Sequence, residues 1–139
     1  MSVDPRTNAV LHHVGYVVPD MQRALRQFER EGAVVTISPT DDPIQKVACA
    51  LLKLVGGSDI ELVAPIDPED SPLASRLRRG GGYDHLCFAV ADVSAALAAE
   101  EEDGAMIVCK PVYAITFGET VGFALRRSGM LIEYMSGGL

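Results

Sequence analysis

The chain has 139 residues, 12 of them basic and 19 acidic, with a net charge of -7, a pI near 4.8, 48% hydrophobic residues and 22% charged ones. This is an ordinary globular composition, and a chain of this length buries about two thirds of its unfolded surface, which excludes disorder as its main state. An acidic balance with four Tyr, four Phe and no Trp supplies neither the basic face nor the stacking platform that nucleic acid requires, nor attraction to an anionic membrane surface.

In chain order, MSVDPRTNAV lacks a basic stretch followed by an apolar run, and the longest apolar stretch, Val47 to Leu52, is far short of the roughly 20 residues that cross a bilayer. The expected setting is cytoplasmic and the expected partner a small molecule or a second copy of the chain. His12 to Val18 reads as a strand, followed by Asp20 as N-cap of a helix whose apolar positions are Met21, Leu25 and Phe28, with Gly32 ending it in the left-handed region. Strands are expected over Val34–Ser38, Lys46–Lys53 and Asp59–Val63. Residues 64–82 are rich in Pro, Asp and Gly and read as a linker, in which Ser71-Pro72 caps a short helix running to Arg79 before three glycines. A second strand follows from His85 to Val90, then Asp92 as N-cap, a helix through Val93 and Leu97, Gly104, and strands over Met106–Lys110, Val121–Arg126 and Met130–Met135. Cys49, Cys87 and Cys109 are odd in number, lie in apolar segments and show no CxxC spacing, so they are expected as small core residues and not as disulfides or thiolate zinc ligands.

The two halves are copies. A shift of 72 positions lays HHVGYVVPDMQRALRQFEREGA on DHLCFAVADVSAALAAEEEDGA, with eight identities among the 21 positions from His13 to Ala33 and no gap. The same offset pairs Pro39 with Pro111, Gly57 with Gly129, Ile60 with Ile132 and Glu61 with Glu133. The expected organisation is one α+β domain over 1–139: a βαβββ module at 11–63, the linker at 64–82 and a second module at 83–135, with eight strands in a cupped sheet.

The repeat also selects the candidate site. A histidine on the first strand and a glutamate on the last recur in both copies: His13 and Glu61, His85 and Glu133. Two related units that bring equivalent strands together about a pseudo-twofold axis would gather two imidazoles and two carboxylates. This mixed N and O donor set without thiolate suits one divalent ion among Co, Mn, Ni, Zn and Fe. Any one of these residues alone reads as an ordinary strand position, since Glu in IEL or IEY is by default the outward residue of a period-two alternation. His12, next to His13, points to the other face of its strand, whereas Gly15, Val17, Cys87 and Ala89 on the His13 and His85 faces are small and leave room for a ligand.

HHVGYVVPDMQRAL, GGSDIELVAPIDPEDSPLASRL, GGYDHLCFAVADV and GMLIEYM together resemble the vicinal oxygen chelate superfamily, the glyoxalase, bleomycin-resistance and dioxygenase group, and most closely its methylmalonyl-CoA epimerase-like members. The resemblance spans Leu11 to Met135, and the acidic Ser-Pro linker is its most branch-specific part. It implies paired βαβββ modules, metal ligation by His13, Glu61, His85 and Glu133, an acyl-CoA substrate and a homodimer. It further implies abstraction of the proton alpha to a metal-chelated carbonyl, with Glu133 as a catalytic base, and hence an isomerase or lyase. The donor set equally suits a glyoxalase-type isomerase. Ring-cleaving dioxygenases generally use two histidines and one glutamate, and metal-free resistance proteins usually lack the ligands.

Bacterial epimerases of this kind carry a further glutamate on the third strand, where this chain has IQKVACALLKL and no carboxylate between Asp42 and Asp59. The candidates for a second proton donor are Lys46, Cys49, Lys53 and, in the altered loop ITFGETVGF, Glu119. Gln45 is the other polar residue of the segment. Lys46 and Lys53 read as solvated strand ends and Glu119 as a surface loop residue. Arg76, Arg78 and Arg79 form the one local basic cluster, and cations at a helix C-terminus are favoured by the helix dipole without any bound phosphate.

Overall fold

The computed structural model describes residues 3–137. Its elements are β1 (Val10–Val17), α1 (Met21–Arg30), β2 (Val34–Asp42), β3 (Val47–Lys53), β4 (Asp59–Pro65), α2 (Ala74–Arg78), β5 (Gly82–Val90), α3 (Val93–Glu102), β6 (Met106–Ala114), β7 (Glu119–Leu125) and β8 (Leu131–Ser136). The sequence offset of 72 holds in three dimensions. It relates α1 to α3, β2 to β6 and β3 to β7 residue for residue, and also the two bulges that interrupt the β2/β3 and β6/β7 ladders. Asp20 and Asp92 cap their helices through the amides of Arg23 and Ala95, and Gly32 and Gly104 end them at the same φ of 96°.

Contacts divide the chain into two compact units, His13–Asp84 and a unit that joins Met1–His12 to His85–Leu139. In the first, the strand order is β2-β3-β4-β1, with β1 parallel to β4 and the other pairs antiparallel. Alternation along the strands gives the sheet two apolar faces. One carries Ala48, Ala50, Leu52, Leu62 and Ala64 against Met21 and Leu25 of α1. The other carries Val17, Val47, Cys49 and Val63, covered by Leu73 and Leu77 of the linker. The linker closes on glycines, and Gly81 is required by space as well as by its φ of 66°, because a Cβ there would lie 2.7 Å from the carbonyl oxygen of Val17.

The second unit repeats the plan, with the order β5-β8-β7-β6. Ala124, Ile132 and Tyr134 face Val93, Ala96 and Leu97 of α3, while Cys87, Ala114, Val121 and Met135 form the opposite face. One feature has no counterpart in the first unit. Glu100 follows Val93, Ala96 and Leu97 on the buried stripe of α3 and is 1% exposed. Arg126 donates to both its carboxylate oxygens at 2.9 and 2.7 Å, Tyr134 donates at 2.6 Å and Arg6 at 3.2 Å. These donors hold the Glu100 carboxyl down at about 2, while burial and the hydrogen bond to the Glu100 carboxylate push the Tyr134 phenol up.

Most strands run longer than their sequence signals, β3 and β8 being the exceptions. β2 and β6 continue past Ser38 and Lys110 through Pro39 and Pro111, which ends a strand only where its missing N–H would have been needed; both strands lie at the end of their order, beside bulges. β1 begins at Val10 and β7 at Glu119. The linker helix starts later than expected, at Ala74, because the Ser71 hydroxyl accepts from the Leu73 amide in a turn before the helix and caps no helical residue. Cys49 and Cys87 are buried, but Cys109 on β6 is half-buried, its thiol 3.4 Å from the Lys110 carbonyl. Among the described residues no helix is long and apolar enough to cross a membrane.

Candidate metal centre

In each unit a parallel strand pair puts a histidine beside a glutamate. Gly15 lies opposite Glu61 in the β1/β4 register, and His13, two residues earlier on β1, shares the face of Gly15 and Val17. The His13 Nε2 to Glu61 Oε1 distance is 3.4 Å, and the two residues are 1% and 4% exposed. In the second unit Cys87 lies opposite Glu133, and His85 Nε2 stands 3.1 Å from Glu133 Oε1, with both residues buried. The default outward reading of each Glu is thereby reversed. The strand face that carries it is the one lined by Val17, Val47, Cys49 and Val63 in the first unit and by Cys87, Val121 and Met135 in the second.

A carboxylate set in such a face requires compensating charge, because an ion loses several kcal/mol of hydration when buried. The imidazole beside it adds a nitrogen donor. Each pair therefore fits a divalent cation: one nitrogen and one oxygen donor, both buried, on a face with small neighbours. No thiolate belongs to the set, which leaves the choice among Mn, Co, Ni, Fe and Zn open.

The remaining candidates fall elsewhere. His12 is half-buried and meets the Phe117 ring edge-on, with centroids 5.7 Å apart. Lys46 and Lys53 have 56% and 50% of their side chains exposed and each reaches an aspartate at 3.0 Å, Asp70 and Asp59 respectively. Gln45 donates to Asp42 at the β2–β3 turn. Cys49 lies opposite Val63, two residues along β3 from Leu51, which faces Glu61; its side chain is thus on the Glu61 face. Glu119, expected in a surface loop, instead opens β7 on the Glu133 face and accepts from Ser136 Oγ at 3.0 Å. It stands four residues from Phe123, the neighbour of Glu133. Arg76 pairs with Asp84, next in sequence to His85, whereas Arg78 and Arg79 are exposed. Sequence reasoning missed Phe123, whose ring meets the His85 imidazole edge-on at 5.3 Å between centroids. The repeat held the signal, since offset by 72 it sets Phe123 on Leu51, and each faces the glutamate of its own module.

Comparison with known proteins gives these residues a lineage. The chain is 33% identical over 100 residues to an ethylmalonyl-CoA/methylmalonyl-CoA epimerase of Cereibacter sphaeroides, covering 70% of this chain and 73% of that protein. A hypothetical protein from Bacillus halodurans C-125 has the same fold at a TM-score of 0.80 and 26% identity, over 96% of this chain and 97% of that one. The crystal structure of methylmalonyl-CoA epimerase from Mycobacterium tuberculosis likewise matches at a TM-score of 0.80 and 24% identity, over 100% and 94%. That likeness extends through both βαβββ modules, so the eight-stranded paired-module fold expected from the repeat is the fold of this chain. Residues 12–123 match the family model of the glyoxalase/bleomycin resistance protein/dioxygenase superfamily, and the chain belongs to that superfamily.

Proposed function

We propose that the chain is a divalent-metal-dependent epimerase-like isomerase of acyl-CoA thioesters that carry a carboxylate on the neighbouring carbon. His13, Glu61, His85 and Glu133 together would hold one ion, and Glu133 would also act as base. The observation that carries the reading is the recurrence, at one sequence offset, of a buried His/Glu pair on the same face of equivalent strands. The likeness to the Cereibacter sphaeroides epimerase supports the substrate class.

A bound divalent ion would supply positive charge at the oxygens of a chelating substrate and so stabilise the enolate that forms on proton loss. Glu133 takes the proton from the carbon between the two carbonyls and returns it. His13, Glu61 and His85 stay in place as donors, each on a strand position that is itself buried. The apolar surroundings strengthen the electrostatic stabilisation of the enolate. Inversion needs a second donor on the opposite side of that carbon. With Lys46 and Lys53 held in ion pairs at exposed ends, Cys49 and Glu119 are the remaining titratable candidates.

The test is solvent deuterium incorporation into each methylmalonyl-CoA enantiomer by metal-loaded protein, with metal content measured by elemental analysis. Exchange outrunning inversion is expected, so epimerisation is weak. Rapid inversion would require an efficient second base, and absence of both exchange and bound metal would remove the reading altogether. We further propose a homodimer in the cytoplasm, supported by fold-level analogy and by the exposed Met106, Val108 and Tyr113 of β6. A monomer in light scattering at micromolar concentration would overturn the assembly.

A further inference from the structure

The wall beside the second His/Glu pair bears on which substituent the substrate carries, a question that rests on the proposed isomerase reaction. Phe123 lies opposite Glu133 in the β7/β8 ladder, and its ring stands at 84° to the His85 imidazole with centroids 5.3 Å apart. Such an edge-to-face contact is favourable and directional, so the ring fixes the tilt of the imidazole. Cys87, Val121 and Met135 around it are buried, whereas Phe123 is only half-buried. The matching residue of the first module is Leu51, opposite Glu61 and 7% exposed. Of the four residues that face a candidate glutamate ligand across a ladder, Gly15, Leu51, Cys87 and Phe123, only Phe123 therefore keeps surface for an incoming molecule.

We propose that Phe123 is a specificity-determining residue that gauges the alkyl substituent on the carbon losing its proton. A substrate chelated through two carbonyl oxygens has that carbon between them, and its third substituent must meet the side of the site. Cys87, Val121, Phe123 and Met135 offer no strong hydrogen-bond partner there. A hydrocarbon substituent is accepted there, since Glu119, the polar residue of this face, stands four residues along β7 and already accepts from Ser136 Oγ. The open edge of the Phe123 ring then sets how long that hydrocarbon is.

The test compares wild type, Phe123→Leu and Phe123→Ala, each loaded with Co(II), by calorimetric titration with methylmalonate, ethylmalonate and butylmalonate. A misplaced methylene in an apolar pocket changes affinity by about 10-fold or more. Wild type is expected to bind butylmalonate at least about tenfold more weakly than methylmalonate, Phe123→Ala to flatten or reverse that order, and Phe123→Leu to fall between. Leu is the residue the first module carries at this position, so this variant keeps the proposal decidable if Phe123→Ala folds poorly. A chain-length order that is the same in wild type and Phe123→Leu, or no dicarboxylate binding by wild type, overturns the proposal. In the metal-free protein, the His85 imidazole proton resonances should shift in Phe123→Leu, because the aromatic ring current is lost. Unchanged resonances would overturn the contact itself. These readouts need no turnover, so a wild type that exchanges no deuterium into methylmalonyl-CoA while showing the chain-length effect would sink the reaction and keep the gauge.

Discussion

The four proposed ligands differ from other strand residues in one physical respect, which is that each unit buries a carboxylate and an imidazole side by side on a face that is otherwise largely apolar. Glu61→Gln should therefore shrink the rise in thermal midpoint that metal loading gives over the metal-free protein, since weaker binding to the native state stabilises it less. The same substitution, like His85→Ala, should weaken metal binding at least about 100-fold, more than the loss of a residue that merely orients a ligand. His12→Ala should leave metal content unchanged. Elemental analysis after gel filtration, with melting curves on apo and loaded samples, reads all three. A loaded Glu61→Gln protein at full occupancy would show that the first pair is not part of the site. These residues were legible because duplication wrote the pattern twice. A single Glu in IEL has no distinguishing mark, but Glu61 and Glu133 at one offset from His13 and His85 do. Phe123 was illegible for the opposite reason: one aromatic on a strand is the commonest core signal there is, and its ring contact with His85 depends on a ladder register that spacing alone does not fix.

At the level of elements, the two helices were legible from capping aspartates and terminal glycines, but what α3 buries was not. The repeat sets Phe28, Leu54 and Leu62 of the first module on Glu100, Arg126 and Tyr134 of the second. The first trio belongs to an apolar cluster, the second to an ion and hydrogen-bond network in the matching place. Glu100→Ala would leave Arg126 and Tyr134 without their acceptor. The expected loss is about 3 kcal/mol, the low end for a broken buried pair, because the Arg126 side chain is 39% exposed. Replacing all three at once by their first-module counterparts (Glu100→Phe, Arg126→Leu, Tyr134→Leu) should restore most of that stability, since a packed apolar cluster often equals a buried ion network. A triple variant no more stable in urea than Glu100→Ala would refute the equivalence. The pH dependence comes from the Glu100 carboxyl being held at about 2 in the folded state, below its ordinary 4.5. A lowered carboxyl stabilises the fold above the unfolded value and loses that contribution as the pH falls. The gap between wild type and Glu100→Ala should therefore be widest above about pH 5 and close progressively below 4.5.

For the whole molecule, the repeat disclosed the architecture because backbone copies preserve strand lengths, caps and even bulges at the same 72-residue spacing. It did not disclose where the compact units begin, because nothing in composition changes at His12/His13 or Asp84/His85, where their boundaries fall. One unit is an unbroken run of chain, while the other joins the stretches that flank it on either side. Arg6, which binds Asp103 and the buried Glu100, precedes that glutamate by 94 residues. During synthesis, Arg6 thus emerges long before Glu100 and Asp103, and the stretch from His13 to Asp84 is complete before they exist. Local contacts form faster than distant ones. In pulse-labelled refolding, amides of β2, β3 and β4 are expected to gain protection before the amide of Ala9, whose turn is pinned through Arg6. Simultaneous protection would mean that the two ends find each other as early as neighbours do. In order of time, the interrupted unit makes Arg6 wait for partners that are synthesised only after the other unit is complete.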